Sequence, residues 1–99
     1  MSDLEKSVLD YKKAIRKNHN DGLAYYNLGS AYSNLGLYKE AIEACKQAIP
    51  LDSDCPDAHF ELGFNCLQIG DKSSALNEYK ILKELDIDKA NELFDLINK

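Results

Sequence analysis

Two stretches of the chain decide its architecture: residues 22–36 read GLAYYNLGSAYSNLG, and residues 56–70 read PDAHFELGFNCLQIG. When the sequence is shifted by 34 residues, segment 22–55 aligns with segment 56–89. The identical pairs are Ala24 and Ala58, Leu28 and Leu62, Gly29 and Gly63, Gly36 and Gly70, Ala41 and Ala75, Lys46 and Lys80, Leu51 and Leu85, Asp52 and Asp86, and Asp54 and Asp88. A fixed period of this length is typical of repeat proteins, so segments 22–55 and 56–89 are two whole repeats.

The period continues on both sides of these two repeats. Residues 4–17 match the second half of the first repeat, because Val8 and Tyr11 lie 34 positions before Ile42 and Cys45. Residues 88–98 match the first half of a repeat. Two interpretations of the incomplete first unit stay open: the chain is a fragment of a longer array, or it is a small protein whose first helix caps the array.

Each repeat has the pattern of two helices joined by a tight turn. Apolar residues recur at spacings of three and four, as at Tyr25, Leu28 and Tyr32, and the alternation typical of strands is absent. Gly36 and Gly70 follow the first helix of each repeat, where a left-handed residue lets the chain turn. The pattern predicts helices over residues 4–17, 22–35, 38–50, 56–69, 72–85 and 88–98.

The ends of these helices carry recognisable signals. Asp21 and Asp71 are predicted N-caps, and Pro56 suits the first turn of a helix. Pro50 predicts that the helix starting near residue 38 ends at about Ile49 or kinks, because the ring would clash with the preceding turn.

Composition limits the possible partners and location. The 99 residues carry 17 Asp and Glu against 12 Lys and Arg, a net charge of -5, which is the wrong sign for binding phosphates. Nucleic acid and membrane are therefore not expected as partners. The three cysteines form no C-x-x-C pair, and the N-terminal residues lack the pattern of a secretion signal, so we expect a cytoplasmic protein with reduced thiols.

The repeat resembles the tetratricopeptide repeat (TPR) family. The matching run is Tyr25-Tyr26-Asn27-Leu28-Gly29, followed by Ala31-Tyr32 and then by Gly36, Ala41 and Ala48, and the second repeat gives Leu62-Gly63, Gly70, Ala75 and Tyr79. The resemblance covers nearly the whole chain and implies an all-α, right-handed superhelix of antiparallel helix pairs, forming one domain over residues 1–99. The small residues suit close helix approach, which larger side chains would prevent.

The chain departs from the family pattern at several positions. The family's tryptophan position holds Tyr25, His59 and Leu93, and Ile97 replaces the glycine that should follow Leu96. The segment 88–98 therefore resembles a terminal capping helix more than a working repeat.

The resemblance also implies a concave groove lined by the first helix of each repeat. On the TPR register the residues that we expect to bind a peptide there are Tyr26, Asn27, Ser30, Asn34, Asp57, Phe60, Glu61, Phe64, Gln68 and Phe94. This face is predicted to carry aromatic and amide side chains but no Lys or Arg. For Phe60 and Phe64 a second interpretation stays open, in which the rings cover the core against the next repeat.

Family members that clamp the C-terminal carboxylate of heat-shock chaperones use Lys, Arg and Asn at several of these positions. This chain has Tyr26, Ser30, Glu61, Asn91 and Asp95 instead, and only Asn27 is compatible. We therefore expect that it does not bind chaperone C-terminal carboxylates.

One group of side chains raises the question of a metal site. Cys55, His59 and Cys66 lie on one helical stripe, but His59 and Cys66 are seven residues apart, about 10 Å along a helix, too far to share one zinc ion. Both occupy helix-packing positions in the repeat register, so we interpret them as core residues. His19 lies in a polar turn, and no cofactor site or catalytic group is indicated.

The sequence thus predicts a non-enzymatic scaffold or adaptor that binds a peptide or helix of a protein partner in the groove. The ligand should carry apolar anchors and neutral to basic flanks. The alternative is a structural spacer or a self-association module within a longer repeat array.

Overall fold

The computed structural model describes residues 2–52 and 55–99, so Ser53 and Asp54 of the first predicted repeat lie outside the described residues. The described chain is all-α, and the six predicted helices are confirmed with bounds shifted by about one residue. They are α1 (Asp3–Lys17), α2 (Gly22–Asn34), α3 (Tyr38–Leu51), α4 (Pro56–Gln68), α5 (Lys72–Leu85) and α6 (Ile87–Ile97). Helices α2 and α3 form one repeat, and α4 and α5 form the other.

The helix ends are stabilised largely as the sequence predicts. The Asp21 carboxylate accepts a hydrogen bond from the Ala24 amide at 3.0 Å, and Asp71 accepts one from the Ser74 amide at 3.1 Å. Gly36 and Gly70 adopt φ angles of 78° and 81°, which confirms the predicted turns.

Two further helix starts carry caps that the sequence analysis did not identify. Ser2 and Glu5 form a reciprocal capping box at the start of α1, and the Asp86 carboxylate accepts hydrogen bonds from the first turn of α6. The Ser-x-x-Glu spacing is the signal that could have revealed the first of these caps.

The expectation for Pro50 is wrong in its detail. Helix α3 continues through Pro50 to Leu51 instead of ending at Ile49. The proline lies in the last turn and has no N–H, so the helix loses one hydrogen bond there and ends one residue later. The Asp52 amide then donates to the carbonyls of Ala48 and Ile49 at 3.1 and 3.2 Å, so the helix end remains satisfied.

Small residues let the two helices of a repeat approach closely, as the sequence predicts. A Cβ atom built on Gly29 would lie 3.0 Å from Cys45 Sγ and 3.3 Å from the Ala41 carbonyl oxygen. Ala41 and Ala75, at equivalent positions of α3 and α5, are completely buried. There is no room at these crossings for a larger side chain.

The core consists of two clusters along the array. One is formed by Val8 of α1 with buried residues of α2 and α3, and the other spans α3 to α6. Helix α6 contributes Ala90, Leu93 and Ile97, all buried, and packs against both α4 and α5. It therefore closes the apolar face that the second repeat would otherwise expose. In the described part of the chain, every helix is too short or too polar to span a lipid bilayer.

Candidate peptide-binding groove

The centre of the predicted groove lies where α2 and α4 face each other. Tyr26 of α2 lies beside Asp57 and Glu61 of α4, and its pKa is raised, first by burial and then by these two carboxylates. Burial also raises the pKa of the Glu61 carboxyl, with a further contribution from Asp57, and a hydrogen bond with Ser33 opposes the rise. The structure thus brings three of the predicted groove residues together, the half-buried Tyr26 and Glu61 and the exposed Asp57.

Two aromatic rings continue this surface along α4. Phe60 is half-buried and packs against the larger core cluster, while Phe64 is half-buried at the edge of a cleft of about 560 Å³. That cleft lies between α4 and α6, where Leu67 and Leu96 line it, and Lys72 of α5 and Lys99 also line it. Phe60 therefore supports the core and also meets the surface, which combines the two interpretations that the sequence left open.

The structure contradicts the expectation that this face carries no Lys or Arg. The Lys89 ammonium of α6 pairs with Asp57 Oδ1 at 2.7 Å and lies 5.8 Å from the centre of the Phe60 ring. Lys89 was not expected there because the groove positions taken from the last helix begin at Asn91, two residues later. Burying Ala90 and Leu93 directs the first turn of α6 towards α4.

The remaining predicted groove residues lie in different environments. Asn27 and Ser30 are half-buried on α2, whereas Asn34 and Gln68 are exposed near the ends of their helices. Phe94 packs against Tyr79 of α5, with the ring centroids 5.1 Å apart, and 43% of its surface is exposed. Its ring is therefore part of the α5–α6 contact.

A second cleft, of about 720 Å³, was not predicted. It is lined by residues of α2 to α5, with an apolar floor that includes Tyr32, Leu62 and Ile69. Lys39, Glu43 and Lys46 of α3 contribute charges of both signs to its walls. The full lining has four carboxylates and two lysines, so the cleft is acidic on balance and disfavours an anionic ligand.

His59 and Cys66 are buried, which confirms their interpretation as core residues. The His59 Nδ1 atom lies 2.7 Å from Glu78 Oε1 of α5, so a polar pair joins the two helices of the second repeat. Burial raises the pKa of the Cys66 thiol and, more strongly, that of Cys45, to about 12. Both thiols are therefore protonated and unreactive at neutral pH. Within residues 2–52 and 55–99, no three His, Cys, Asp or Glu side chains are grouped so that they could hold a metal ion.

Stacked helix pairs with a lined groove define a class, the α-helical repeat proteins that serve as protein-interaction modules. The family follows from two family models, both describing the tetratricopeptide repeat, which match residues 22–55 and residues 1–36. Together they cover residues 1–55, more than half of the chain. The chain belongs to the tetratricopeptide repeat family.

Solved structures show the same fold at low sequence identity. The second TPR domain of human RPAP3, in complex with the HSP70 peptide SGPTIEEVD, aligns with a TM-score of 0.91 and 24% identity over 97% of this chain and 82% of that chain. The TPR domain of Arabidopsis OM64 gives 0.89 and 20% over 96% and 80%. The TPR2B domain of yeast Sti1, in a complex with Hsp70, gives 0.88 and 24% over 97% and 81%. A comparison with curated protein sequences found no match.

Proposed function

We propose that the chain is a non-enzymatic interaction module, a scaffold or adaptor that binds a peptide segment of a protein partner in the groove between α2 and α4. The observation that supports this proposal is the cluster of the half-buried Tyr26 and Glu61 with the exposed Asp57, continued along α4 by Phe60 and Phe64. Aromatic side chains with partly accessible rings are the usual anchors of protein interfaces.

The charges of this surface define the ligand. Glu61 is half-buried next to Asp57, and this arrangement raises its pKa, so its ionised form is disfavoured in the free chain. A cationic group of a ligand would stabilise the ionised form of Glu61 against both its burial and the repulsion from Asp57. The preferred ligand is therefore an extended or helical segment with apolar anchors and neutral to basic flanks.

The same charges disfavour acidic peptides. The peptide bound to the RPAP3 domain, SGPTIEEVD, ends in three acidic residues within four positions. In this chain such a tail would approach Glu61 and Asp57, and the nearby Lys89 is already paired with Asp57. We therefore propose that chaperone tails of this kind are not ligands.

Selection from a random peptide library on the immobilised chain tests the proposal. We expect the selected peptides to be enriched in apolar residues and in Lys or Arg, and we expect SGPTIEEVD to show no binding in the same titration. Phe60→Ala and Phe64→Ala should each weaken a selected peptide by about 1 to 3 kcal/mol while helicity is retained.

Ile81→Ala is the matched control, since this residue is exposed on α5 outside the groove. Selection of acidic peptides, or equal affinity for all three variants, would contradict the groove assignment. In the second case the unpredicted cleft would become the candidate site.

A further inference from the structure

The contacts of Lys89 indicate which kind of side chain the groove can bind. Its ammonium is held by a carboxylate at 2.7 Å and by an aromatic face at 5.8 Å, two contacts that together recognise an alkylammonium group. Asp57 and Phe60 are three residues apart on α4 and therefore lie on the same side of that helix. They form a binding pair that a lysine from any source could fill.

The contact is weak enough to be exchanged. The side chains of Lys89 and Asp57 are 33% and 52% exposed, so water screens their attraction, and pairs of this kind contribute little to stability. Lys89 also lies in the first turn of α6, where the helix dipole disfavours a cation. Asp86 and Glu92 also act on the Lys89 ammonium, so the cation stays near carboxylates when it leaves Asp57.

Charge balance at the groove favours a second cation. Asp57 and Glu61 lie on the same face of α4, next to Tyr26, and Lys89 pairs with Asp57. Glu61 is half-buried and lies near the Ser33 side chain, which opposes the rise in its pKa. An incoming cation would therefore meet two carboxylates and an aromatic ring once Lys89 has moved away.

We propose that Asp57 and Phe60 form a subsite for a lysine side chain of the partner peptide, and that Lys89 occupies this subsite in the free chain as an internal competitor. This inference rests on the proposed function and specifies which side chain of the ligand the groove recognises. Binding then requires the ligand lysine to displace Lys89, so the affinity in the free chain is lower than the subsite alone would give.

The test uses the full chain and two synthetic peptides, acetyl-Ala-Leu-Lys-Ala-Leu-amide and its copy with norleucine in place of lysine. Lys89→Met removes the competing charge and keeps a long apolar side chain. We expect this variant to bind the lysine peptide about three- to tenfold more tightly than the wild type, with no gain for the norleucine peptide. Lys89→Arg keeps a cation on Asp57 and should bind as the wild type does.

Two controls separate this effect from a general change in charge or stability. Lys80→Met removes an exposed lysine of α5 and should leave both affinities unchanged. Adding Asp57→Asn to Lys89→Met should abolish the gain, because the carboxylate that receives the ligand is lost. Thermal unfolding followed by circular dichroism checks that each variant is folded at the titration temperature.

The outcomes distinguish the subsite from the proposed function. If wild type and Lys89→Met bind the lysine peptide with equal affinity, the subsite is overturned. The proposal that a peptide binds in the groove is not affected by that result. A gain of similar size for the norleucine peptide also overturns it, since the effect would then be apolar. If neither form binds either peptide, the subsite is overturned, and the proposed function fails with it only when the library selection also yields no ligand.

Discussion

Single residues at the helix crossings determine whether the pairs can form. Gly29 and Ala75 lie where helices approach most closely, so a larger side chain must displace backbone or buried atoms. We expect Gly29→Leu and Ala75→Leu each to lower the free energy of unfolding by about 1 to 3 kcal/mol or more. Lys46→Ala, a change at an exposed position, should cost less than about 0.5 kcal/mol. Urea denaturation followed by circular dichroism measures all three, and wild-type stability of both leucine variants would refute the crossing geometry.

Through its raised pKa, Glu61 contributes less to the stability of the folded chain at neutral pH than at acidic pH. Its pKa is raised in the folded chain by burial and by Asp57, so the native state binds this proton more tightly than the unfolded state does. The resulting penalty is fully present above the folded pKa and disappears as the pH falls below the unfolded value, about 4.3. Glu61→Gln should therefore raise the melting temperature at pH 7, and the difference from wild type should shrink towards pH 4.

The gain from Glu61→Gln should be small, under about 0.5 kcal/mol, because solvent screens a half-buried group. Glu84→Gln, at an exposed position of α5, is the control and should show no such dependence on pH. A Glu61→Gln variant that is less stable than wild type at pH 7 would show that the carboxylate is favourably paired instead.

At the scale of the helix, the packing of α6 against the second repeat depends mainly on one side chain, Leu93. Leu93 is completely buried, and a Cβ atom built on Gly63 of α4 would lie 2.6 Å from its Cδ2 atom. Leu93→Ala should lower the free energy of unfolding by about 2 to 5 kcal/mol, because it leaves a cavity between α4 and α6. Glu92→Ala, at the adjacent exposed position, should have little effect. Chemical denaturation of the two variants checks this, and equal stability would mean that α6 is not docked through Leu93.

The helix bounds could be predicted closely because the apolar spacing and the glycine turns occur twice, 34 residues apart, and because Asp21 and Asp71 each mark the start of a helix. The contacts of the first turn of α6 could not be predicted in this way, since the groove positions taken from the last helix begin at Asn91, and Lys89 was missed for that reason. The buried His59–Glu78 pair could have been predicted from the sequence. Both residues are polar where the first repeat has Tyr25 and Ala44, so the two changes are paired across one crossing.

At the scale of the molecule, neighbouring helices support one another along the array. Every helix of the described chain packs against the next, and α4 also contacts α2 and α6. The larger core cluster joins α3 of the first repeat to α4, α5 and α6, so we expect one cooperative unfolding transition seen equally by circular dichroism and tyrosine fluorescence.

Removal of metal ions should not change that transition. Among the described residues no group of potential ligands is placed to hold an ion, so no metal-binding energy is expected in the fold. The melting temperature should be the same with and without EDTA. A decrease of several degrees in the chelator would overturn the interpretation of Cys55, His59 and Cys66.

Cys45, at the crossing of α2 and α3, can be used to measure how often this crossing opens. Cys45 is completely buried there, with its sulfur against the Gly29 backbone and its pKa raised to about 12 by burial. A thiol reagent can modify it only when the crossing opens, whereas Cys55 at the start of α4 is half-exposed. In a pulse-labelling experiment read by mass spectrometry, the first alkyl group added therefore marks the surface of the chain, and the rate of addition at Cys45 measures how often the first repeat comes apart in native buffer.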